Sequence, residues 1–234
     1  MSRRAHRHHE EGESRDFTRE RERMVRDQIA SRGIRSTLVL DAMRKVPRER
    51  FLPEGEALFA YDDSPLPIAA GQTISQPYIV AYMIDSMELE RGDRVLEIGT
   101  GSGYAAAVLA EMGCEVYTVE RIARLAQQAQ VMLEKLGYGA VHVLHADGTL
   151  GWPDAAPFDG IVVAAGAPDV PEALKEQLAI GGRLVIPVGS SLGFQELLRV
   201  TRTGETDFET HYLCGVRFVP LLGEQGWGGG GAVD

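Results

Sequence analysis

The spacing of apolar positions divides the chain into two regimes. From Phe17 to Gly33 the segment FTRERERMVRDQIASRG is mostly charged, yet Met24, Val25 and Ile29 can share one helical face, and Gly33 supplies a stop. A second helix is predicted over Ser36–Lys45, with Ser36 as its N-cap and Pro47 beyond its end. Periodicity then lapses over residues 51–76, where Pro53, Pro65, Pro67 and Gly71 punctuate the chain. An irregular stretch of that length in a compact protein predicts a binding loop or lid.

Downstream, short apolar runs alternate with helical patterns. Strands are predicted at Arg94–Ile98, Glu115–Val119, Val141–His145, Ile161–Ala164 and Arg183–Val188. The intervening helices cover about Tyr104–Met112, Arg121–Leu136 and Pro171–Leu178; the second carries Ile122, Leu125, Ala129, Leu133 and Leu136 at helical spacing. Such alternation predicts an α/β fold, with a mostly parallel, doubly wound sheet covered on both faces. After Gly193 the character changes. FQELLRVTR and HYLCGVRFV read as an antiparallel edge pair joined by the turn-rich TGETDFET. The predicted organisation is a solvated tail (1–16), one domain (17–227) and a flexible glycine-rich end (228–234). Within the domain, 17–90 supply N-terminal helices and a loop, 91–190 the α/β core, and 191–227 the last strands.

Bulk properties narrow the function classes. With 34 acidic against 24 basic residues the formal charge is −10, which disfavours broad binding to nucleic acid or anionic membranes. No apolar run is long enough to span a bilayer and the charged N-terminus has no signal-peptide core, so a cytoplasmic protein without membrane or nucleic-acid partners is expected. Two cysteines, Cys114 and Cys214, are too few for a disulfide framework. His6, His8 and His9 lack a companion ligand downstream, and no metal is expected. His142 and His145 flank a strand and read as structural.

The chemistry collects at strand ends. The first strand runs into Glu97-Ile-Gly99-Thr100-Gly101-Ser102-Gly103-Tyr104. Glycines there allow a tight turn and close approach to a ligand. The G-x-G-x-G spacing differs from the dinucleotide fingerprint, whose third glycine falls one residue later. Glu97, two residues before the first glycine, opposes a pyrophosphate but suits an ammonium group. The loop therefore points to S-adenosylmethionine more than to NAD. Glu120 ends the second strand, where a carboxylate can accept from both ribose hydroxyls. After the third strand Asp147 can accept from an adenine amino group, and Gly148 lets the ring lie near the backbone. Upstream, Pro77 suits the first turn of a helix, leaving Ser75 and Gln76 at its entrance with free backbone N–H groups. A substrate carboxylate fits there, with the Ser75 hydroxyl donating.

These residues closely resemble the protein-L-isoaspartate O-methyltransferase family. The likeness runs from about Met24 to Trp227 through VPRERF (46–51), YDDSPLP (61–67), GQTISQP (71–77), the glycine loop, and segments 158–168, 181–189 and 216–227. The glycine loop is shared by many methyltransferases, whereas GQTISQP is much more specific. The resemblance implies a Rossmann-like S-adenosylmethionine-dependent methyltransferase. Its substrates would be isoaspartyl-containing peptides and proteins, methylated on the free α-carboxylate so that a succinimide can form and partly reopen as aspartate. It places Ser75 in the active site beside cofactor and substrate, as an orienting donor. It further implies donor contacts from Thr73, Ile74, Thr100, Ser102 and, through the closing segment Gly223–Trp227, Gln225. The helix after the serine motif has Tyr78 and Val80 where some members carry histidines. A carboxyl methyltransferase of the same fold serving one dedicated peptide is the alternative. Oligomeric state is not legible; a monomer is favoured.

Overall fold

The computed structural model describes residues 15–191 and 193–228. The tri-histidine tail and nearly all of the predicted flexible end lie outside the described residues. The N-terminal segment is a composite helix: α1 (Thr18–Arg23), a π-helical turn (Met24–Ile29) and a 3₁₀ turn (Ala30–Arg32), closed by Gly33 at φ 103°. Met24, Val25 and Ile29 are all fully buried, and the wider π turn matches the five-residue step between Met24 and Ile29. Helix α2 (Thr37–Lys45) begins where the Ser36 side chain accepts from the Val39 N–H.

The predicted loop of residues 51–76 holds more structure than its prolines suggest. Two 3₁₀ turns, Arg48–Phe51 and Glu54–Phe59, lead to a small antiparallel ribbon of β1 (Leu66–Pro67) and β2 (Thr73–Ile74). Helix α3 (Pro77–Asp85) follows at once, with Pro77 in its first turn.

The core then alternates as expected: β3 (Arg94–Ile98), α4 (Tyr104–Glu111), β4 (Glu115–Glu120), α5 (Ala123–Lys135), β5 (His142–His145), β6 (Phe158–Val163), α6 (Glu172–Glu176), β7 (Leu178–Gly189), β8 (Gln195–Arg202) and β9 (Phe208–Val216). The sheet order is β5-β4-β3-β6-β7-β8-β9. The first five strands in that order are parallel, and β8 and β9 are antiparallel additions. Strand order reverses between β3 and β6, which opens a crevice at their carboxyl ends.

Alternate residues of each strand serve opposite faces. Val95, Val162, Val185 and Leu197 belong to the apolar cluster formed with the N-terminal helices, α3 and α4. Leu96, Ile161, Leu184 and Ile186 belong to a second cluster that includes Leu174 of α6. Both faces are therefore covered, as parallel sheets require.

Some boundaries differ from the sequence reading. Helix α6 is only five residues long, because Leu178 is recruited into β7, pairing with Phe158. Strand β7 in turn starts five residues earlier than its apolar run, through Gly181 and Gly182. A side chain at Gly182 would meet the carbonyl oxygens of Ala179 and Phe158, each 2.9 Å away, so the strand passes there only as glycine.

Candidate active site

The ends of β3 and β4 build a clamped loop. Gly99 (φ 93°) and Gly101 (φ 54°) adopt the left-handed region that favours glycine. Glu120 holds this turn with both oxygens: Oε2 accepts from the Gly101 N–H and Oε1 from the Ile122 N–H, each at 2.9 Å. Each oxygen retains a lone pair for a further donor. Beneath the loop, the Thr118 hydroxyl donates to Glu97 Oε2 at 2.7 Å and lies 2.6 Å from Thr100 Oγ1. Glu97 is 2% exposed. Burial is the leading reason its acidity is weakened, to a pKa of about 8; Thr118 opposes the shift and nearby Glu120 reinforces it.

A hollow opens at the switch point. Its walls include Glu97, Gly99, Thr100, Gly101, Ser102, Glu120 and Gly148, with Thr73, Ile74 and Ser75 entering from the β2–α3 approach. Ile98, Val119 and Ile122 supply an apolar side, and Val219–Leu222 close it from the C-terminal segment. A second hollow lies alongside, bordered by Gln76, Phe194 and Arg217. Thr73, Ser75 and Ala164 face both. Ser75 thus stands at the junction of the two spaces.

Three residues expected at the cofactor, Gly103, Asp147 and Gln225, do not line this hollow. Gly103 (φ 89°) caps α4 and is pressed against α5, where an added Cβ would sit 3.3 Å from Leu133 Cγ. Asp147 does not line the hollow: Oδ1 accepts from the Thr149 N–H at 2.9 Å and hydroxyl at 2.7 Å, and Oδ2 accepts from the Glu224 N–H at 2.7 Å. Oδ1 thus caps the turn at Thr149, and Oδ2 tethers the closing segment. The Gln225 side chain likewise points away, accepting from Ala173 N–H of α6 at 3.2 Å. Gly148 does face the hollow, though its lack of a side chain also spares a clash with Ile98 Cγ2, 2.5 Å from a built Cβ. Of the two departures, Val80 lines the hollow, while Tyr78 lies under the Arg32 guanidinium at 3.3 Å.

Arg48 was not legible as part of the site, because one of three consecutive charged residues in VPRERF (46–51) reads as surface. It is fully buried and donates through Nη2 to the Ser75 carbonyl at 2.8 Å. The histidines are structural in their contacts: His142 stacks on Tyr117 at 4.6 Å, and a His145 ring nitrogen lies 3.0 Å from the Arg121 carbonyl. Among the described residues no cluster of His, Cys, Asp or Glu is arranged to hold a metal.

The donor set fits one cofactor chemistry. A buried carboxylate suits an ammonium, a loop-end carboxylate suits ribose hydroxyls, and the apolar side suits a flat base. With the switch-point crevice, these features define a Rossmann-like methyltransferase dependent on S-adenosylmethionine. The family model for protein-L-isoaspartate(D-aspartate) O-methyltransferase matches residues 19–226, and the chain belongs to that family. It is 62% identical over 204 residues to a protein-L-isoaspartate O-methyltransferase of Rhodopseudomonas palustris, covering 87% of this chain and 94% of that one. A Pelobacter propionicus relative of the same description is 60% identical over 207 residues, covering 88% and 92%. Among solved structures, a protein-L-isoaspartate O-methyltransferase superposes with a TM-score of 0.78 at 30% identity, covering 88% of this chain and 67% of that one. A putative Plasmodium falciparum homologue, in complex with S-adenosyl-L-homocysteine, has a TM-score of 0.75 at 25% identity, covering 86% and 98%.

Proposed function

We propose that Ser75 marks the point where the methyl donor meets the substrate carboxylate, and that one domain, residues 17–227, carries the whole reaction. The single observation behind this is that Ser75 borders both hollows. The activity is that of the family: methyl transfer from S-adenosylmethionine to the free α-carboxylate of L-isoaspartyl residues, which initiates repair through a succinimide. S-adenosylmethionine, when bound, supplies an electrophilic methyl on a good leaving group.

The residues of the chain position and exclude. The substrate carboxylate is ionised at neutral pH, since an ordinary carboxyl has a pKa near about 4. No general base is needed, which agrees with a site holding a hydroxyl donor and no nucleophilic histidine or cysteine. Ser75 donates to one carboxylate oxygen and so directs the other toward the donor's methyl group. Glu97 receives the ammonium, Glu120 the ribose hydroxyls, and Gly99–Ser102 with Thr73, Ile74 and Gly148 shape the space. Holding nucleophile and electrophile in line is the main source of acceleration here. Asp147 and Gln225 act at one remove, by fastening the segment that closes the pocket.

The protein is proposed to work as a cytoplasmic monomer on isoaspartyl peptides and proteins, without nucleic acid or membrane. The surplus of acidic residues and two free cysteines support that placement, and no described helix is long and apolar enough to cross a membrane. The test is transfer of labelled methyl to paired peptides that differ only by isoaspartate or aspartate. The isoaspartyl peptide alone should be labelled. Ser75→Ala should lower kcat/KM roughly 10- to 100-fold, the value of one hydrogen bond to a charged group. Labelling of neither peptide by a donor-binding protein would point instead to one dedicated peptide substrate.

A further inference from the structure

Arg48 is an anomaly of charge. It sits in the 3₁₀ turn after α2 with no exposed surface. Its Nε donates to the Ala60 carbonyl at 2.7 Å and its Nη2 to the Ser75 carbonyl at 2.8 Å. The guanidinium lies 4.9 Å from the centre of the Tyr104 ring, and Tyr104 itself lines the donor hollow. Nη1 is buried without a hydrogen-bond partner. No salt bridge among the described residues reaches Arg48. The adjacent acid, Glu49, is engaged by the Tyr61 hydroxyl and, at 3.8 Å, by Arg21.

Buried charges are normally paired, because desolvating them is costly. Two carbonyl acceptors and a ring face do not neutralise a guanidinium, which stays charged in proteins. If the task were only to join the loops at Ala60 and Ser75, an uncharged amide donor would do it without burying a cation. The charge itself needs an anion, and the described residues do not provide one. The anion nearest to hand in the reaction is the carboxylate that meets Ser75.

We infer that Arg48 is a positioning residue for the substrate: it fixes the Ser75 backbone through the carbonyl, and its unpaired positive charge attracts the incoming α-carboxylate from behind that serine. This rests on the reading of Ser75 as the substrate contact. It gives the enzyme a means to prefer a free carboxylate over a neutral group of the same shape.

The experiment compares an isoaspartyl peptide with its α-carboxamide analogue, which is isosteric and neutral. In the wild type the carboxylate peptide should bind at least about tenfold more tightly than the amide inhibits, as for other charge-assisted contacts. Arg48→Met should raise KM for the carboxylate peptide by about tenfold or more, a several-fold larger factor than the rise in the amide's inhibition constant. Arg48→Lys should restore much of the difference. Calorimetric binding of S-adenosylhomocysteine should stay the same, because the donor's own carboxylate is the competing source of an anion. Equal weakening of carboxylate and amide peptides, or selective loss of S-adenosylhomocysteine affinity, would overturn the inference. So would a wild type that does not prefer the carboxylate, an outcome readable even if Arg48→Met fails to fold. A wild type that methylates no isoaspartyl peptide refutes the reading of Ser75; an active enzyme with undiminished preference in Arg48→Met refutes Arg48 alone.

Discussion

Glu97 shows how one burial decision sets a pH dependence. Enclosed at the end of β3, it has its pKa pushed up to about 8 from 4.5. Unfolding restores the ordinary acid. Between those values the folded protein holds a proton that the unfolded chain has lost, so stability of the free protein falls as pH rises through that window and levels off above it. A cationic ligand works the other way, since an ammonium nearby favours the ionised form. Binding of S-adenosylhomocysteine near pH 7 should therefore release up to about one proton, and its affinity should rise from pH 6.5 toward 8 before levelling. Calorimetry in two buffers of different ionisation enthalpy reads the proton directly. Glu97→Gln should abolish both the release and the slope; unchanged proton release in that variant would place the ammonium elsewhere. At this scale the sequence is informative where a residue's role depends on its own strand. Glu97 and Glu120 are readable as strand-end acids, and the glycine spacing points to the right cofactor. Arg48 is not readable, because its meaning lies in the absence of a partner, which only the packed structure can show.

The same limit governs the elements. Strands β3 and β4 follow from their apolar runs, whereas the first five residues of β7 are hidden by Gly181 and Gly182, and the π turn by an ordinary-looking helical segment. Asp147 was expected at the base because it follows β5. Its second oxygen meets Glu224, 77 residues later in the chain, and no local pattern reports such a contact. The closing segment is held at several such points: the Gln225 N–H donates to Thr149 Oγ1 at 3.1 Å, and Trp227 Nε1 to the Gly166 carbonyl at 2.9 Å. Asp147 supports two of these, capping the turn that presents Thr149 and holding Glu224. Asp147→Ala should cost about 1–2 kcal/mol and lower Tm by about 2–8 °C for a domain of this size. Amide exchange should speed up selectively over residues 221–227, with weaker S-adenosylhomocysteine binding as the pocket loses its fourth side. Lost affinity with unchanged exchange in that segment would revive a direct contact between Asp147 and the base.

The whole molecule presents two opposed electrostatic environments. The chain as a whole carries a formal charge of −10, while the serine junction is backed by the buried cation of Arg48. An approaching peptide first meets the outer field, which extends about 30 Å at 0.01 M salt but only about 8 Å at 0.15 M. Isoaspartyl peptides flanked by lysines should accordingly show kcat/KM about three- to tenfold higher than glutamate-flanked ones at low salt, with the gap closing near physiological ionic strength. The inner interaction is enclosed and weakly screened, so the preference for carboxylate over carboxamide should survive the same addition of salt. Steady-state assays of the four peptides at two ionic strengths separate the two layers. If the lysine advantage persists at high salt, it comes from a fixed contact and not from the field. If glutamate flanks are preferred at both, Arg217, which borders the second hollow, outweighs the molecule's net charge where the peptide lies. A carboxylate preference that fades in step with the flanking effect would mean that the group attracting it is exposed to solvent, which excludes Arg48.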